Sequence, residues 1–115
     1  MPDFETLIYQ THHSVALITM NRPAVRNALN MPLNRDLLLA FQAAAADDQI
    51  RAIVLTGAGD GFCAGADLSI FGQMPTPEDL YNVIVTTYDP LMSLITTTPK
   101  PVIAAVNGVA AGAGM

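Results

Sequence analysis

Apolar and polar positions alternate along the first part of the chain and then change period. Residues 4–10 and 15–20 read as strands, the first of them an edge strand. Thr11-His-His-Ser14 joins them into an antiparallel hairpin, and Asn21-Arg-Pro23 ends the second strand. Residues 24–29 read as a loop. Leu33, Leu37, Phe41 and Ala45 then recur at helical spacing, with Asn30 as the N-cap and Pro32 just inside the helix start. Asp47-Asp48 closes this helix with the wrong sign for its dipole, which predicts a solvated or fraying end. Ala52-Ile-Val-Leu-Thr56 is a β-branched run of the kind that makes a buried strand. Strand, helix, strand in this order predicts a right-handed crossover and a sheet with parallel strands, an α/β architecture.

The pattern breaks at Gly57-Ala-Gly-Asp-Gly61, a turn, and resumes as Phe62-Cys-Ala-Gly-Ala-Asp-Leu68. Small residues at 64–66 leave the main chain open to close approach by a ligand. Residues 72–77 read as a loop or short lid, and Thr76 with Pro77-Glu-Asp79 fits a helix cap and first turn. Leu80, Ile84, Leu91 and Ile95 continue an apolar face, which Pro90 should kink or split. Residues 96–101 connect to a second buried-strand run, Pro101-Val-Ile-Ala-Ala-Val106. Asn107-Gly-Val-Ala-Ala-Gly-Ala-Gly-Met115 follows it. Two strands, each followed by a glycine/alanine loop, suggest two backbone donors converging on one point. That is the physical requirement of an oxyanion hole.

Composition sharpens this picture. The chain of 115 residues is 51% hydrophobic and 13% charged, against about 25% charged in a typical domain. So little polar surface predicts either a partner or a missing part of the domain that buries the excess, with an alanine-rich core as the plainer reading. A net charge of −5 disfavours binding to duplex nucleic acid, which depends on neutralising phosphates. One cysteine gives no disulfide framework. The N-terminus lacks the pattern of a secretory signal, and the longest apolar run is too short to span a bilayer. No membrane association and a cytoplasmic setting are the expectations.

The candidate chemistry narrows by elimination. Gly57-x-Gly59-x-Gly61 follows a strand, but a dinucleotide fingerprint needs G-x-G-x-x-G and position 62 is Phe; no G-K-[ST] is present either. A nucleotide-binding module is therefore the weakest reading. Cys63 has apolar neighbours and no nearby base, which fits a buried small hydrophobe better than a nucleophile. His12 and His13 point to opposite sides of an extended chain without a third ligand at suitable spacing, so no metal site is expected. Asp67 fits a cap of the following turn better than a general base.

Four blocks in order carry a family resemblance: Asn21-Arg-Pro with Asn27-Ala-Leu-Asn30, Ala52-Ile-Val-Leu-Thr-Gly57, Gly61-Phe-Cys-Ala-Gly-Ala-Asp-Leu68, and Lys100-Pro-Val-Ile-Ala-Ala-Val-Asn-Gly-Val-Ala-Ala-Gly-Ala-Gly114. Together they resemble the crotonase family, the enoyl-CoA hydratases and isomerases. The resemblance implies a crotonase-like ββα spiral, of which residues 1–115 form the N-terminal part of a single domain without its C-terminal part. It also implies that the N–H groups of Ala66 and Ala113 form the oxyanion hole for an acyl-CoA thioester. Where family members often have glycine, Ala113 is compatible because a donor N–H needs no particular side chain. Coenzyme A, as part of the substrate, would lie against residues 24–28 and 64–68. Arg26, Ala28, Ala64, Asp67 and Leu68 are the substrate-binding candidates, with Arg26 either a phosphate partner or a solvated surface residue. Residues 69–77 would shape the acyl pocket. No separate cofactor is implied.

The family's acidic catalytic residues fall beyond Met115, as does the helix that would aim its positive end at the oxyanion. Thioester enolate chemistry with an acid/base supplied from outside this chain is thus the leading expectation. Val106-Asn-Gly-Val-Ala-Ala-Gly-Ala-Gly114 and Tyr88-Asp-Pro-Leu91 look most like the isomerase branch acting on ring-epoxide or unsaturated acyl-CoA esters. The complete form would be a homo-oligomer, a trimer or hexamer. The competing expectation is a non-catalytic fragment that acts only by associating with a partner.

Overall fold

The computed structural model describes residues 4–67 and 76–115. The alternating stretch becomes strands β1 (Leu7–His12) and β2 (Val15–Met20), antiparallel, with Leu7 opposite Met20 and His12 opposite Val15. The link is tighter than the sequence suggests. Only His13 and Ser14 lie between the strands, because His13 takes a left-handed φ of 55° and lets the chain reverse at once. Ala16, Ile18 and Met20 are buried on one face of β2, and the residues between them are half-buried on the other.

Helix α1 (Met31–Ala46) starts where expected: Asn30 Oδ1 accepts from Leu33 N at 2.9 Å, with Pro32 in the first turn. Its buried face is Leu33, Leu37, Ala40, Phe41 and Ala44 together with Asn34. Ala44, three residues after Phe41, takes the place expected of Ala45, which is half-buried. Each fully buried Leu or Phe side chain here contributes about 1.5–3 kcal/mol. The N-terminal segment is fastened to this helix, since Thr6 donates to Asp36 Oδ2 from its N at 3.0 Å and its Oγ1 at 2.7 Å. The helix's C-terminal end does not simply fray into solvent. Lys100 Nζ donates to Ala44 O at 2.8 Å and Asp47 O at 2.6 Å, so a cation from a distant segment sits at the negative end of the dipole.

Strand β3 (Ala52–Gly57) lies parallel to β2, with Val15 opposite Ala52 and Met20 opposite Gly57. Strand β5 (Val102–Ala104) lies parallel to β3, and the sheet order is β1-β2-β3-β5. Strand β5 is shorter than the expected run. Ala105 N still donates to Leu55 O at 2.8 Å, after which the chain leaves the sheet. Strands β4 (Gly61–Cys63) and β6 (Val109–Ala110) form a second, parallel pair.

Pro90 splits the helical stretch by widening it rather than by breaking it. Helix α2 (Pro77–Val83) runs into a π-helical turn at Ile84–Tyr88, then into α3 (Asp89–Thr97), and Asp89 N donates back five residues to Ile84 O. The wider turn makes room for a proline ring that would otherwise meet the carbonyl four residues back. The extra residue also shifts the apolar face. Val83, Thr87 and Leu91 are buried and Ile95 half-buried, whereas Ile84 is exposed; the side chain of Leu80 lies outside the described residues.

Candidate functional site

The site is built on the turn that follows β3. Strand β4 leads out of it, and residues 64–67 then run beside residues 26–29. Ala64 N donates to Arg26 O at 3.0 Å, Leu29 N to Gly65 O at 2.7 Å, and Asp67 N to Leu29 O at 2.8 Å. In such a parallel bridge Leu29 uses both its backbone groups, so the N–H of Ala66 points away from that neighbour. Among the described residues no acceptor faces it, and Ala66 is exposed. Gly65 supports this with a φ of 105°, which a side chain would strain.

The second loop comes alongside through β6. Ala111 N donates to Cys63 O at 3.0 Å, and a single 3-10 turn follows at Gly112–Gly114. Gly114 N and Met115 N close that turn onto Ala111 O and Gly112 O, which leaves Ala113 N with no acceptor among the described residues. Ala113 is exposed as well. The two loops touch. A methyl group on Gly65 would stand 3.8 Å from Ala113 N and 3.0 Å from Ala111 O, and one on Gly114 would stand 2.2 Å from Cys63 O.

The structure gathers most of the other candidates around these loops. Arg26 takes a φ of 50° and lays its stem over Gly61, where a methyl group would meet Arg26 Cβ at 2.9 Å. Its residue is exposed and forms, with Pro23, Ala24, Val25, Asp60 and Ala64, the wall of an open cavity of about 420 Å³. Asp60 lines the same cavity, so its wall carries both signs of charge. Ala28 offers its carbonyl to Arg22 Nη1, and Arg22 Nη2 pairs with Asp67 Oδ2 at 3.2 Å. Arg22 was not among the sequence candidates, although its position in Asn21-Arg-Pro23 was the available signal. Leu68 and residues 69–75 lie outside the described residues, and so does the turn that Asp67 was expected to cap.

On the inner side, a cavity of about 290 Å³ reaches Ala113 and Gly114 from the core between α1, α3 and the sheet. It is mostly apolar, with Cys63, Asn34 and Tyr88 in its wall. Cys63 is buried and its Sγ donates to Asn27 O at 3.3 Å. Burial pushes the thiol's pKa up, against a weaker opposing pull from the Gly65 backbone, so the group is a neutral packing element at ordinary pH. Burial likewise pushes the Tyr88 phenol up, with the Asn34 amide pulling it down less strongly. Among the described residues no group of His, Cys, Asp and Glu is arranged to hold a metal ion, and no helix is long and apolar enough to cross a membrane.

Residues 10–115 match the family model described as enoyl-CoA hydratase/isomerase. The chain belongs to this family. It is 42% identical over 112 residues to the 1,2-epoxyphenylacetyl-CoA isomerase of Escherichia coli K12, covering 96% of this chain and 43% of that protein. It is 43% identical over 108 residues to the 2,3-dehydroadipyl-CoA hydratase of the same organism, covering 94% of this chain and 41% of that one. The crystal structure of an enoyl-CoA hydratase/carnithine racemase from Magnetospirillum magneticum superposes with a TM-score of 0.89 at 32% identity. That match covers 97% of this chain and 42% of the other. The fold is therefore that of the crotonase family, and the chain spans well under half the length of these enoyl-CoA hydratase/isomerase relatives.

Proposed function

We propose that this chain binds an acyl-CoA thioester and polarises its carbonyl between the backbone N–H groups of Ala66 and Ala113. Negative charge that develops on the carbonyl oxygen as an enolate forms would be held by these two fixed donors, which need no reorganisation as the reaction proceeds. The observation that carries this reading is the bridge at Leu29. It consumes the backbone groups on either side of Ala66 and turns the Ala66 N–H outward, next to the loop of Ala113. Both relatives above are named for action on CoA esters, which fits the same substrate class.

In this reading the coenzyme A part lies along residues 24–28 and 64–67, over the open cavity where Arg26 is the cation available to a phosphate. The acid/base group is supplied from outside these 115 residues. Among the described residues the cavity wall at Ala113 holds no Asp or Glu side chain, and Asp67 is engaged by Arg22. That outside group sets whether water is added or a double bond is moved.

Calorimetric titration tests the proposal, with a 2-enoyl-CoA thioester and with coenzyme A alone. The thioester should bind more tightly than coenzyme A. Ala66→Pro, which deletes one donor, should weaken the thioester by about fivefold and leave coenzyme A unchanged, the scale of one ground-state hydrogen bond. Equal affinity of the wild-type chain for the two ligands would contradict the role of the donors. No binding of either would contradict the substrate class.

A further inference from the structure

Two asparagine side chains tie the loops that carry Ala66 and Ala113 to a single backbone oxygen. Asn27 is fully buried and holds a φ of 57°. Its Oδ1 accepts from Arg22 N at 2.8 Å, and its Nδ2 lies within donating distance of Ala58 O (3.2 Å), Gly61 O (3.0 Å) and Phe62 O (3.1 Å). Asn107 approaches the same turn from the other side. Its Oδ1 accepts from Gly57 N at 3.1 Å, and its Nδ2 donates to Gly59 O at 3.0 Å and Gly61 O at 3.2 Å. The Gly61 carbonyl thus receives an N–H from each asparagine, one for each lone pair.

The turn has no slack around these bonds. A methyl group on Gly57 would stand 2.6 Å from Asn27 Nδ2, and one on Gly108 would stand 1.9 Å from Asp60 O. Strand β4 leaves Gly61 towards Ala66, and the chain leaves Gly108 towards β6 and Ala113. The shared oxygen therefore sits where the two arms begin.

We propose that Asn27 and Asn107 are positioning residues for the two carbonyl-binding donors, and that their shared bond to Gly61 O sets the spacing between Ala66 N and Ala113 N. The inference rests on the thioester-polarising reading above. Hydrogen bonds weaken steeply as angle and distance degrade, and a misplacement of about 1 Å at a reacting group costs about a hundredfold in rate. A side-chain amide suits this task because it both donates to the turn and accepts from it. Asp at either position keeps the acceptor and loses the donor.

The test uses a 3-aryl-2-propenoyl-CoA thioester, whose conjugated absorption moves to longer wavelength when donors polarise its carbonyl. Bound to the wild-type chain, the probe should show this red shift. Asn107→Ala and Asn107→Asp should bind it with a Kd within about threefold of wild type, yet lose about half the shift or more. Thr6→Val removes the distant Oγ1 bond to Asp36 and serves as a destabilised control that keeps the full shift. No shift with wild-type protein overturns the polarising reading and this inference with it. A wild-type shift in both folded Asn107 variants overturns the inference alone. Loss of the native circular dichroism spectrum in both variants assigns Asn107 to folding and overturns the positioning role.

Discussion

The two arms that carry Ala66 and Ala113 begin at one turn and are held in different ways. The first is built into the N-terminal unit. Gly61, Phe62 and Cys63 are all buried, residues 64–67 are laced to residues 26–29, and Asp67 is paired with Arg22. The second arm leans on the first. Its strand β6 has two residues and pairs with β4, its Ala111 N bonds to Cys63 O, and Gly114 packs directly over Cys63. The apolar side chains along it are open, with Val106 57% and Val109 50% exposed. The difference teaches a direction of dependence. Disorder introduced in the first arm should reach the second, while disorder in the second should stay there.

The largest expected effect is at Gly108. Gly108→Ala forces a methyl group onto the Asp60 carbonyl and should cost about 3 kcal/mol in a urea melt, the upper range for overpacking. Amide exchange should then speed up at Ala111 while Leu29 and Asp67 remain protected. Equal loosening of both arms would break the comparison. Next comes Arg22→Met, which removes the bonds to Ala28 O and Asp67 and should cost about 1–2 kcal/mol for partly buried contacts. Here exchange should speed up at Asp67 and at Ala111 together. An effect confined to the second arm would reverse the proposed dependence.

The smallest effect at neutral pH concerns Cys63, which lies under both arms. Burial raises its pKa above the ordinary 9.0, so the unfolded chain gives up the thiol proton before the folded one does. Its contribution to stability is complete below pH 9.0 and falls as the pH rises above that value. Tyr9 and Tyr88 are raised in the same direction but from 10.0, so the fall between pH 9 and 10 belongs to the thiol. Cys63→Ala should flatten that part of the stability–pH curve. An unchanged curve would mean that the thiol ionises as readily in the fold as out of it.

The N-terminal unit was legible because its contacts are periodic. The β2–α1–β3 order, the Asn30 cap and the buried face of α1 all follow from local spacing, as do the two small-residue loops. What stayed hidden acts across long separations without a repeat. Asn27 reaches the turn 31 to 35 residues away, and Lys100 reaches α1 across more than 50. A lone polar side chain that bonds to a distant main chain leaves no pattern around itself. The misplaced apolar face after Pro77 has a local cause. A π-helical turn between Ile84 and Leu91 adds a residue, so Val83 and not Ile84 shares the buried face with Leu91. Ala66 and Ala113 were singled out by the family resemblance of the motif blocks and not by periodicity, because a backbone donor leaves no side-chain mark of its own in the sequence.

The most direct test of the central claim is the isotope-edited infrared stretch of a 13C=O-labelled enoyl-CoA thioester bound to this chain. Two donors at Ala66 and Ala113 predict a band at lower frequency than in free buffer, moved back part of the way by Ala66→Pro and again part of the way by Ala113→Pro. A bound band at the free frequency, or one that neither substitution moves, would contradict the account.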